Sequence, residues 1–274
     1  MELKALLAMQ FALPSIPKVV ALLLSELERE QADLRKITQL VGTDPVLTAR
    51  LLQIANSDSF GLVGKISSVS EALALLDLKQ VQSLVREAAS GASFKSVPGI
   101  HLQQFWRYSL NVAKLSRTLA GVVRQNQQAA YTCGLIHALG ELAIHIGMAQ
   151  QAAILNLDIP ALDLGRANAE KLFFGYCYAQ VGAGLARRWQ FPQSMVDALE
   201  HQYAPFENDV FEPLAGVIHL ATWRSRAKEA GLSDRALAVS FPGAVGEVLG
   251  LDIDMVLQQD PFDWMGQGSN LIPM

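Results

Sequence analysis

A chain of 274 residues, 51% of them hydrophobic, can bury one large core or two smaller ones. Its net charge of −4 and pI of about 5.7 leave no concentrated basic surface, which excludes general phosphate-backbone binding and makes nucleic acid an unexpected partner. Its two cysteines, Cys133 and Cys177, are too few and too far apart for a disulfide framework or a zinc knuckle, and read as reduced core thiols of a cytoplasmic protein.

The opening Met1-Glu2-Leu3-Lys4 does not have the pattern of a secretory leader, and the apolar run 19–24 is far shorter than the ~20 residues that span a bilayer, so no membrane is expected as a partner. Nearly all periodic segments have the helix period. Val20, Leu23, Leu24 and Leu27 form a first stripe after Pro14 and Pro17. Leu34, Ile37, Leu40 and Val41 form a second, capped by Asp33 and closed by Gly42. Asp44-Pro45 starts a third helix, with Leu47, Leu51, Ile54 and Ala55 on its buried face and Asn56 to Ser59 at its end. Ser68-Val69-Ser70-Glu71 is a capping box, and Asp77 caps a helix with the stripe Leu78, Val81, Leu84, Val85 and Ala88.

The loop holding Pro98 and Gly99 is the best internal boundary. It predicts an N-terminal helical subdomain over 1–97, a second helical subdomain over 98–230 and a C-terminal extension over 231–274. In the second subdomain the pattern predicts helices over about 102–124, 127–148, 169–189, 193–201 and 213–230. Gly134 and Gly140 would each weaken an exposed helix and imply close helix approaches. Gly182-Ala183-Gly184 reads as helix packing rather than a phosphate loop. Arg224, Arg226 and Lys228, within a turn and a half, read as a solvated helix surface. The stretch Gly266-Gln267-Gly268-Ser269-Asn270 reads as a frayed end.

Three blocks carry a family resemblance. Leu13-Pro14-Ser15-Ile16-Pro17, then Asp44-Pro45-Val46-Leu47-Thr48-Ala49-Arg50-Leu51-Leu52-Gln53-Ile54-Ala55-Asn56-Ser57, then Ile66-Ser67-Ser68-Val69-Ser70-Glu71 stand in the order found in the HDOD domain, which this chain resembles from about Phe11 to Lys228. The resemblance implies a bacterial, all-helical regulatory module related to HD phosphohydrolases, without established catalysis.

Laid against an active HD or HD-GYP enzyme, the second half departs at most metal-ligand positions. Phe105-Trp106-Arg107-Tyr108-Ser109 has Tyr108 where a first metal histidine is implied. His137 keeps the histidine of the His-Asp pair, but Ala138 replaces the aspartate, and Glu141 stands at the following lysine position. Tyr178 stands for a later histidine. His201-Gln202 keeps one member of a His-His pair, and Thr222 stands at the final aspartate.

A two-metal hydrolase needs several convergent imidazoles and carboxylates, and a methyl group cannot do the work of a clamping carboxylate. His137 and His201 are therefore read as buried, hydrogen-bonded remnants, against the alternative of a weak two-imidazole metal site. His137, Glu141 and His145, spaced i, i+4, i+8, form a rival metal constellation, but spread over two turns they need partners from another helix. Trp106, Tyr108, Tyr178 and Trp223 either fill the volume that metal and ligands would take, or line an open groove for a small ligand such as a nucleotide.

The expected protein is all-α, an N-terminal helical subdomain packed on a degenerate HD-like one. No catalytic residue, metal or cofactor is expected. The degenerate groove is formed by Tyr108, His137, Ala138, Glu141, Tyr178, His201 and Thr222. The expected function is non-catalytic signal transduction through contacts with signalling proteins. A small ligand in the groove and a homo-oligomeric state stay open. The alternatives are a residual metal-dependent phosphohydrolase and a cyclic-nucleotide sensor.

Overall fold

Capping chemistry sets most helix starts in the first half. After α1 (Leu3–Ala8), α2 (Pro17–Leu27) opens with a proline where no amide hydrogen is needed. Asp33 caps α3 (Leu34–Val41) by accepting from the Arg35 and Lys36 amides. Asp44 caps α4 (Pro45–Ala55) through the Val46 and Leu47 amides, at 2.8 and 2.9 Å, and its second oxygen takes the Ile16 amide at 2.6 Å. One buried carboxylate thus ties the start of α2 to the start of α4. Ser68 and Glu71 form the reciprocal capping box of α5 (Val69–Leu75), and Asp77 accepts from the Gln80 amide in α6 (Leu78–Ser90). Asn56 does more than end α4. Its amide group donates to the Leu52 and Ile66 carbonyls and accepts from the Lys65 and Ile66 amides, pinning the 56–66 loop.

The computed structural model describes residues 1–90, 96–207 and 209–259; the stretch 266–270, read as frayed, lies outside them, as does the rest of the C-terminal extension past 259. The second half contains α7 (Leu102–Val122), α8 (Gln127–Ile136), α9 (Leu139–Gly147), α10 (Ala149–Asp158), α11 (Arg166–Phe174), α12 (Tyr178–Arg188), α13 (Gln193–His201) and α14 (Pro213–Glu229). Three short helices follow: α15 (Asp234–Ser240), α16 (Gly243–Leu249) and α17 (Ile253–Gln258). No strand occurs among the described residues, and the fold is all-α.

Two helices expected to be continuous are broken. The 127–148 helix stops at Ile136 and restarts at Leu139. The reason is local: the His137 ring takes the Gly134 carbonyl at 2.7 Å, the acceptor that the Ala138 amide would use in an unbroken helix. The 169–189 helix breaks at Gly175, whose φ of 84° is open to glycine at little steric cost. The glycine expectations for the other sites hold. A Cβ on Gly134 would lie 2.7 Å from Ser116 Oγ on α7, and one on Gly140 would strike the Tyr178 carbonyl on α12.

One buried cluster runs through both halves, with α4 packed on α7 and α8. A smaller cluster joins Leu6 of α1 to Ile144 of α9 and Val181 of α12, so α1 packs on the second half rather than on α2–α6. Leu47, Leu51 and Ala55 are buried as expected, but Ile54 is only half-buried and lines a surface groove beside Arg50 and Trp189. Leu34 and Leu78 are also exposed, at 53% and 44%, because each is the first residue of its helix, before the inward stripe is established. The segment 127–147 is long and apolar enough to cross a bilayer, yet 89% of its most apolar window is buried inside the fold.

Candidate functional site

The break at His137 places its side chain at the meeting point of α7, α12 and α14. Nδ1 lies 2.7 Å from Gly134 O, which can only accept, so Nδ1 carries the hydrogen. Nε2 is then an acceptor, and the Tyr108 hydroxyl donates to it at 2.9 Å. The Tyr108 oxygen in turn accepts from Arg226 Nε at 3.0 Å. A directed chain runs from Arg226 through Tyr108 and His137 to Gly134. Burial holds the His137 imidazole down at about 3, so the ring is neutral, as the chain requires. Burial also raises the Tyr108 phenol, which keeps its hydrogen to donate.

Arg226 is 4% exposed. The reading of 224–228 as a solvated face is corrected here: the one-and-a-half turns of α14 that carry the basic residues turn Arg226 inward. Its guanidinium carbon lies 5.2 Å from the Tyr178 ring centroid and 5.8 Å from that of Tyr108, within cation–π range. Nη1 donates to the Asp163 carbonyl at 2.8 Å. Thr222 Oγ1, one turn earlier on α14, is near enough to Tyr108 to favour its ionised form but makes no well-formed hydrogen bond. Thus Tyr108, His137, Tyr178 and Thr222 converge, and a fixed positive charge joins them.

A second buried network lies alongside. Arg166, fully buried, donates from Nε to Glu170, from Nη1 to Asn156 Oδ1 and the Ile159 carbonyl, and from Nη2 to Glu141 and His145. His145 Nδ1 donates to the Pro98 carbonyl at 2.7 Å, and Glu170 accepts the Tyr178 amide at 2.7 Å. Burial raises both Glu141 and Glu170; Glu141 opposes ionisation of Glu170, whereas the hydrogen bond from Glu170 favours the ionised form of Glu141, so the pair favours one shared proton, carried by Glu170, over two charges. Arg166, Glu170 and Arg226 were missed by sequence reasoning. An Arg-Glu pair at i, i+4 is the ordinary pattern of a solvated helix face, and nothing in the sequence marks this one as buried.

Two expectations change. His137, Glu141 and His145 do not form one stripe, because the helix breaks between the first two; Glu141 Oε1 lies 3.2 Å from His145 Nε2, both held by Arg166, while His137 belongs to the other chain. His201 is half-exposed at the end of α13 and does not line the groove; its neighbour Gln202 does, donating to the His137 carbonyl at 3.1 Å. Ala138 is buried next to His137 and adds a methyl group and no polar atom.

The side chains present do not fit a divalent cation. Both His137 nitrogens are engaged, no group of three or more His, Cys, Asp or Glu converges among the described residues, and Arg226 adds like charge.

The architecture is that of HD-like helical proteins. It superposes on the MmoQ response regulator of Methylococcus capsulatus strain Bath with a TM-score of 0.72 and 21% identity, covering 91% of this chain and 98% of that one. An HDOD domain protein of Geobacter sulfurreducens gives a TM-score of 0.55 and 22% identity, covering 99% and 97%. A Treponema pallidum (strain Nichols) protein is 23% identical over 217 residues, 78% of this chain; the match spans 42% of that relative's length. The family model of the HDOD domain matches residues 13–205, and the chain belongs to the HDOD family.

Proposed function

We propose that this chain is a non-catalytic signal-transduction module that works through contacts with signalling proteins in the bacterial cytoplasm. The observation that carries the reading is the chain Arg226–Tyr108–His137. It puts a fixed cation and a neutral, fully engaged imidazole where an HD enzyme would need free ligands. Kinship with the HDOD family and likeness to a response regulator agree with it. Apolar side chains exposed on α10 and α11, Leu157 at 84% and Leu172 at 90%, are available for protein contacts.

The test is an assay of the purified chain against phosphomonoesters, phosphodiesters and cyclic dinucleotides with manganese, iron or magnesium, together with elemental analysis. The expected result is no metal-dependent turnover and no stoichiometric metal. Turnover that disappears in His137→Ala would sink the reading.

A further inference from the structure

On the open side of Arg226 lies a cavity of about 320 Å³, bounded by α12, α13, α14 and the turn at Ser240-Phe241-Pro242, with Leu164 at its rim. Its volume is at the lower end of the ~300–1,000 Å³ usual for small-molecule sites. The charge on its wall, that of Arg226, has no direct ion-pair partner among the described residues. Nε and Nη1 donate to a neutral hydroxyl and a backbone carbonyl, and Nη2 has no acceptor among the described residues. Glu141 acts on Arg226 only at longer range, and a buried cation held directly by neutral acceptors recovers only part of its lost hydration.

Two lining residues, Thr222 and Gln202, each keep a fully buried oxygen without a hydrogen-bond partner, Thr222 Oγ1 and Gln202 Oε1, just behind the wall. The wall also carries the rings of Tyr178, Tyr203, His219 and Trp223. Trp223 is fixed by its indole N–H, which donates to Ser240 Oγ at 3.1 Å.

We propose that this cavity binds a small organic anion, a carboxylate or phosphate carried on a planar ring. The anionic group sits on the Arg226 guanidinium, and the ring lies among the Tyr178, Tyr203 and Trp223 side chains. Arg226 suits the role because its planar fork matches carboxylate and phosphate oxygens. The ligand's charge would reach the helix-joining chain directly, since the same guanidinium holds Tyr108 and, through it, His137. The proposal deepens the regulatory reading and rests on the groove being a ligand site.

The experiment is titration calorimetry and thermal melting of the full chain with benzoate, phenyl phosphate and inorganic phosphate, with benzamide as the neutral isostere of benzoate. One ring-bearing anion is expected to bind one to one with a Kd of about 1 mM or tighter, and benzamide at least about tenfold more weakly. Inorganic phosphate, which lacks the ring, should be weaker than phenyl phosphate. Leu164→Trp, at the rim and away from the hydrogen-bond chain, should weaken binding by about tenfold at an unchanged melting temperature. Equal binding of benzamide and benzoate, unchanged affinity in Leu164→Trp, or no saturation by any anion up to about 10 mM would overturn the site. Failure here leaves the non-catalytic reading standing. Hydrolysis of bound phenyl phosphate would instead overturn that reading and leave the binding site in place.

Discussion

The Tyr108 hydroxyl accepts from Arg226 at 3.0 Å and donates to His137 at 2.9 Å, so a single oxygen joins a buried cation on α14 to a buried neutral imidazole between α8 and α9. This directed hydrogen-bond chain ties three helices together.

Tyr108→Phe keeps the ring and removes that oxygen. Arg226 Nε and His137 Nε2 are then both left without partners in a buried site. The expected loss of stability is about 2–3 kcal/mol, as for a buried bond to a charged group. Urea denaturation measures it, and a loss below about half a kcal/mol would show that the two bonds are not made in solution.

His137 sets an acid sensitivity. Its folded value, about 3, lies below the ordinary 6.5, so below pH 6.5 the unfolded chain binds a proton that the folded chain excludes. Stability from this group is full above pH 6.5 and is lost as pH falls toward 3. The buried carboxyls Glu141 and Glu170, being raised, act with the opposite sign over part of this range, so the clean measurement is a difference. The stability gap between the parent and His137→Gln should shrink by roughly 1.4 kcal/mol per pH unit between pH 6 and 4. A gap that stays constant with pH would mean that His137 titrates normally.

Ala138→Asp restores the carboxylate of a His-Asp pair. It should not restore catalysis, because Tyr108, Tyr178 and Thr222 still supply no ligand set and Arg226 remains in place. The new carboxylate enters a buried position and should lower the melting temperature. Metal-dependent hydrolysis at unchanged stability would show the site to be one substitution from activity.

Asp44→Asn tests the joint between α2 and α4. The aspartate spreads three backbone amides over two oxygens, and asparagine has only one oxygen to offer. The donor facing the asparagine NH₂ loses its acceptor, with an expected cost of about 1–3 kcal/mol in chemical denaturation. A neutral result would place the Ile16 amide on another acceptor.

Gly140→Ala probes the contact of α9 with α12. The added methyl would strike the Tyr178 carbonyl and lie 2.7 Å from the Gly182 amide nitrogen, so backbone has to move. A loss of about 1–3 kcal/mol or more is expected. The circular dichroism melt should shift down while the helical signal at low temperature is kept.

The helices, their caps and the family were legible in the sequence because they depend on neighbours within four residues and on ordered motifs. Asp33, Asp44 and the Ser68–Glu71 box bind amides two or three positions away, and the helix period needs only the order of apolar residues. Tyr108, Tyr178 and Thr222, each picked out inside its own motif, do come together in the fold. What only the tertiary structure decided is which polar side chains face inward on elements distant in sequence. Arg226 looked like a surface charge among Arg224 and Lys228, and Arg166–Glu170 like a solvated pair. Both are buried because hydrogen-bond partners up to 118 residues away, from other helices and loops, replace their water. His201 was placed in the groove by its motif, yet the orientation of α13 gives that position to Gln202. Helix rotation about its axis is set by packing, and a change of one position is enough to exchange a buried side chain for an exposed one.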